Sequence, residues 1–127
     1  MNFNRIALTM IQEIQTITSP FATSWEHVQG PGGNTSVKDA ATMLIKASGF
    51  TFQDVAQATG LVWVDHHQAL KNLVINGMDG SLENPPVAVL KSVPDGLKPS
   101  MEFGFHAALK KYVLHTHSVY VNVVTCC

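Results

Sequence analysis

Cysteine is nearly missing from this chain. The only two, Cys126 and Cys127, are adjacent, which builds no disulfide framework and fits no zinc spacing, and suits a reducing compartment. Charge is sparse as well: 13% of residues are charged, and eight basic against nine acidic side chains leave a formal charge of -1. The basic residues are dispersed from Arg5 to Lys111, so the electrostatic footprint of a nucleic-acid or anionic-membrane binder is absent. No apolar run approaches the ~20 residues needed to span a bilayer. The N-terminal run Ile6–Ile11 is interrupted by Gln12 and Glu13 and followed by no convincing cleavage site, so no signal peptide is expected. Repeats and low-complexity tracts are missing too. These absences leave a soluble, cytoplasmic globular protein that binds neither nucleic acid nor membrane.

What the chain does have is apolar mass. At 127 residues and 46% hydrophobic composition it is long enough to bury one core without disulfides, and residues 1–127 read as a single domain. Phe3, Ile6, Met10, Ile11, Ile14 and Ile17 recur at helical intervals, predicting an amphipathic helix over residues 3–18 that Ser19-Pro20 ends. Thr42–Ile45 and Leu61–Asp65 read as short strands, Phe52 and Val55 as a helical turn or two, and Ala69–Ile75 as a brief helix or a strand. Gly77–Gly80 and the Asn84-Pro-Pro86 segment predict an extended connection, and Pro94-Asp-Gly96 a turn. From Ser118 to Cys127 the run is apolar and β-branched, and its periodicity leaves helix and strand both open. Exposed apolar side chains at that end are expected to meet further structure or another subunit.

The chemistry gathers in four places. Gly30-Pro-Gly-Gly-Asn-Thr-Ser36 is a loop whose glycines, Gly33 among them, let backbone amides approach an anion, although the local sequence alone favours a plain hairpin turn. Lys46-Ala-Ser48-Gly49 brings small residues and a hydroxyl to the end of a strand, again a composition that suits an anion site. In Lys98–Tyr112, Ser100 is a candidate helix N-cap and Glu102 a first-turn carboxylate; Met101, Phe105, Ala108, Leu109 and Tyr112 are predicted to form the core face, with Glu102 and His106 sharing a different one. Last, His115 and His117 stand two apart at the end of a predicted short strand that starts at Tyr112, so both imidazoles leave by one face and can reach one metal ion. His66 and His67, read as adjacent strand residues facing opposite ways, cannot chelate in that manner and stay outside the site.

Together, Gly32-Gly-Asn-Thr-Ser36, Lys46-Ala-Ser-Gly49, Pro99-Ser-Met-Glu102 with His106, and His115-Thr-His-Ser118 resemble the class II aldolase and adducin head-domain family, in its order and with approximately its spacing. The resemblance implies an α/β fold, a three-layer αβα domain around a central, largely antiparallel sheet, assembled as a homo-oligomer, a tetramer in the family. It implies a zinc ion (Zn2+) on His115 and His117, Glu102 as acid/base, and Asn34, Ser48, Gly49 and Ser100 around the phosphate or equivalent anionic group of a sugar phosphate or related small molecule. The implied reaction is aldolase-type cleavage or formation of a C–C bond through a metal-stabilised enediolate, with epimerase and dehydratase chemistry on the same scaffold; the alternative is a non-catalytic adducin-like binding or structural module, or an inactive truncated homologue. Two departures stand out. The family usually draws a third zinc histidine, and often a tyrosine proton donor, from beyond the His-x-His strand, so the chain reads as short of the family's C-terminal part. Met101 stands where phosphate-using aldolases often have a serine, which bears on phosphate specificity.

Overall fold

The computed structural model describes residues 3–76 and 89–126. The connections expected at Gly77–Gly80 and Asn84–Pro86 lie outside the described residues. The first element, α1 (Phe3–Thr18), follows the helical repeat read from the sequence and passes into a single 3-10 turn over Ser19–Phe21. Two antiparallel strands come next, β1 (Asn34–Lys38) and β2 (Thr42–Lys46). Their turn is fixed by Asp39 Oδ1, which accepts from the backbone N–H of Ala41 at 2.8 Å and of Thr42 at 2.7 Å. A short helix, α2 (Phe52–Ala56), opens on a capping box in which Thr51 and Asp54 satisfy each other's backbone N–H. Then come β3 (Leu61–Asp65), α3 (His66–Asn76), β4 (Val89–Val93), α4 (Phe103–Ala108), β5 (Tyr112–His115) and α5 (Val119–Thr125).

The strands form one five-stranded sheet in the order β4-β3-β2-β1-β5, and all four pairings are antiparallel. Alternate residues of each strand leave by opposite faces, and the core divides accordingly. Val37, Leu44, Leu61 and Trp63 pack on one side with Met10 and Ile14 of α1 and Val55 of α2. Met43, Ile45, Val62 and Val64 pack on the other with Ala69 of α3 and Phe103 and Ala107 of α4. This is the expected αβα arrangement. A fully buried side chain such as Leu44 contributes roughly 1.5–3 kcal/mol by leaving water.

Several expectations need correction. The Gly30–Gly33 turn leads into the first strand, so it is not a hairpin turn between two strands. His66 and His67 open α3, where their rings lie 4.2 Å apart; the helix begins as soon as the strand ends because Asp65 Oδ1 takes the backbone N–H of Gln68 at 3.0 Å. The core face assigned to the segment around Glu102 is reversed. Met101, Phe105, Ala108, Leu109 and Tyr112 are exposed, whereas Phe103, Gly104, His106 and Ala107 are buried. α4 begins only at Phe103 with Glu102 as its N-cap, so Ser100 is not the cap, and Tyr112 already belongs to β5. β4 carries no strong pattern, with three of its five residues exposed, and the sequence did not reveal it. The open choice after Ser118 falls to helix, with the Ser118 hydroxyl at its N-terminus.

Candidate active site

β1 and β5 bring the separated motifs together. Their register sets Asn34 directly opposite His115, and directly opposed residues of an antiparallel pair show their side chains on the same face. That is the face on which α4 lies, so Glu102 at its start comes over the same spot. Asn34 Nδ2 donates to Glu102 Oε2 at 3.1 Å, and His115 Nδ1 lies 3.2 Å from the same oxygen. Asn34 is itself fully buried, and its Oδ1 accepts the backbone N–H of Thr35 at 2.9 Å, which fixes its amide orientation.

Burial works to raise the pKa of Glu102, but the hydrogen bonds from His115 and Asn34, helped by the attraction of His115 and His106 wherever those rings carry a proton, outweigh it and hold the carboxyl below its ordinary value. An N–H on His115 Nδ1 pointing at this carboxylate leaves Nε2 with a free lone pair, the tautomer a metal ligand requires.

His117 stands just past the end of β5, its ring centroid 4.8 Å from that of His115. Its backbone is tied down at both ends: its N–H donates to His27 O at 2.7 Å and its carbonyl accepts from Gln29 Nε2 at 3.2 Å. Below it runs the glycine turn. A Cβ on Gly32 would stand 3.2 Å from His117 Nδ1, and one on Gly33 would stand 2.8 Å from the backbone oxygen of His115 and 3.2 Å from the Phe52 ring. With φ at +71°, Gly33 is also in the left-handed region. We therefore expect Gly33→Ala to destabilise the fold by roughly 1–3 kcal/mol, read as a lower urea midpoint; an unchanged midpoint would show that the glycine is dispensable.

The second loop closes on the first. Ser48 N–H donates to Lys98 O at 3.1 Å and Ser100 N–H to Lys46 O at 3.2 Å, so Ser48, exposed Gly49 and buried Ser100 stand on neighbouring backbone. The Ser100 hydroxyl accepts the N–H of Glu102 at 3.4 Å, which links this corner to the carboxylate. Lys46, 2% exposed, spans both loops by donating to Pro31 O at 3.2 Å and Phe50 O at 2.7 Å. Burial lowers its pKa, opposed by the charges of Glu102 and Asp54.

Two groups were not picked out by sequence reasoning as holding this corner. Ser36 Oγ lies 2.7 Å from His106 Nδ1, and Lys38 donates to the carbonyls of His106, Ala107 and Leu109. A signal was present: polar Asn34, Ser36 and Lys38 alternate along a strand otherwise read as a loop and its exit.

A model of the class II aldolase and adducin N-terminal domain family matches residues 12–127. The chain belongs to this family. No curated protein and no solved structure matches it. Within this class II aldolase and adducin-type domain the imidazole pair supplies two donors suited to zinc. A catalytic zinc takes three protein ligands, and among the described residues no group of three His, Cys, Asp or Glu side chains is arranged to hold a metal ion. Nor is any helix of the described residues long and apolar enough to cross a membrane.

Proposed function

We propose that this domain is an aldolase-type lyase of the cytoplasm that breaks or forms a C–C bond in a sugar phosphate or sugar acid. The observation that supports the reading best is the shared contact on Glu102 Oε2, 3.1 Å from Asn34 Nδ2 and 3.2 Å from His115 Nδ1. A carboxylate so held keeps its base form at neutral pH and stands beside the imidazoles, where a substrate proton would be exchanged.

His115 and His117 would hold the zinc, its remaining positions completed by Glu102, solvent or another subunit. Zinc bound there supplies Lewis-acid stabilisation of the negative charge that builds on substrate oxygen. Glu102 would take and return the proton, and Asn34 keeps its carboxylate aimed. The hydroxyls of Ser48 and Ser100 and the backbone at Gly33 and Gly49 would take the substrate's anionic group. The exposed apolar side chains of α5, Tyr120, Val121, Val123 and Val124, would be covered by another subunit of a homo-oligomer.

A non-catalytic, adducin-like binding module is the second reading, favoured by the want of a three-donor group among the described residues. Elemental analysis separates the two. The first predicts about one zinc per chain in the wild type, lost in a His115→Ala/His117→Ala variant purified identically. Equal, negligible zinc in both proteins would sink zinc catalysis and leave the binding module.

A further inference from the structure

One strand takes three polar grips on the segment that carries Glu102. Asn34, Ser36 and Lys38 stand two residues apart on β1, so their side chains leave by the same face. Asn34 holds the Glu102 carboxylate at 3.1 Å and Ser36 Oγ meets the His106 ring at 2.7 Å. Lys38, 7% exposed, donates to the backbone oxygens of His106, Ala107 (3.1 Å) and Leu109. The first grip is at the start of α4 and the last is at its end.

The third grip is the costly one. An ammonium taken from water loses its hydration, and burial pulls the Lys38 pKa down. Its three hydrogens match three carbonyls at a helix C-terminus, which have no partner within a helix and where the helix dipole favours a cation. α4 has only six residues, far too few to hold its shape alone. Pinning its last turn to β1 therefore fixes the whole element, Glu102 included.

We infer that Lys38 is a positioning residue for Glu102: by holding the end of α4 against β1, it sets where the carboxylate stands between Asn34 and His115. The inference rests on the proposed role of Glu102 as acid/base, and goes beyond it in assigning the carboxylate's placement to a lysine that touches neither substrate nor metal.

The test compares 15N-labelled wild type, Lys38→Met and Glu102→Ala by NMR, with no zinc and no substrate present. Two signals are read. The backbone amides of His106 and Leu109, which donate within α4 to Glu102 O and Phe105 O at 3.2 Å each, report on the helix. The Asn34 side-chain amide reports on the carboxylate. In Lys38→Met, we expect the two backbone amides to exchange about tenfold faster or more, relative to amides of β2 and β3. The Asn34 signal should move toward the position that it takes in Glu102→Ala.

An Asn34 signal that stays at its wild-type position in Lys38→Met overturns the inference, even where α4 exchanges faster, because a merely structural lysine would loosen the helix without displacing the carboxylate. If Lys38→Met does not fold, Lys38→Gln, whose side chain is one atom too short to bring its amide to the three carbonyls, is read by the same two criteria. A wild type without turnover overturns the proposed reaction only; the Asn34 signal decides the role of Lys38 separately.

Discussion

Glu102→Gln is expected to slow carbon-bound proton exchange by roughly 10²–10⁴-fold, the usual contribution of a general acid/base and about 3–5 kcal/mol of barrier. Glutamine is the informative substitution because its carbonyl oxygen still accepts from Asn34 and His115, so the corner keeps its geometry and loses only basicity. The assay follows deuterium entering dihydroxyacetone phosphate, a small ketose phosphate used as a probe, in D2O with zinc added. Hydrogen bonds hold the Glu102 carboxyl below its ordinary value, so its base form is fully present across the neutral range and its protonation should not limit exchange there. Zinc content should match the wild type. A variant that exchanges at the wild-type rate would remove Glu102 from the chemistry.

The second large effect concerns stability. His106 is 2% exposed, and burial pushes its pKa down to about 4, against the opposing pull of the Glu102 charge. In the unfolded chain an imidazole titrates near ~6.5. Between these values the unfolded state binds the proton and the folded state does not, so stability is full above about pH 6.5 and falls as pH drops toward 4. The loss amounts to about 3 kcal/mol. His66, also pulled down by burial, adds to the slope in the same direction. Urea midpoints at pH 7.5 and 5 for wild type and His106→Asn isolate the His106 share. Asparagine keeps a polar partner for Ser36 but binds no proton, so it should cost stability at pH 7.5 and flatten the decline below it. Equal slopes in the two proteins would mean that His106 is not held neutral.

The elements with a dense apolar repeat were legible before any coordinates. α1 carries Ile and Met at intervals that only a helix turns to one face, β2 and β3 are short apolar runs that bury both of theirs, and Tyr112–His115 coincides with β5. The motifs Gly32–Ser36, Lys46–Gly49, Ser100–Glu102 and His115–Ser118 identified the family, and the candidate residues were named from them. The reversed face of α4 has a physical source. A helix as short as α4 does not average its pattern over several turns, so large exposed side chains such as Met101 and Phe105 outweighed the smaller residues that face the sheet.

His106 faces inward because Ser36 offers it a partner across the sheet, and Lys38 because a helix end needs its hydrogens. The partners stand 70 and 68 residues apart along the chain, so no local reading recovers the pairing. The sequence by itself therefore determined α1, three of the five strands among the described residues and the family, whose resemblance implied the layers, because periodicity and motif spacing are local properties. Only the tertiary structure decided which face α4 buries, that Asn34 and His115 oppose one another, and that one carboxylate answers to both. Strand register and the buried polar contacts it creates depend on residues far apart in the chain, and they exist only once the sheet has closed.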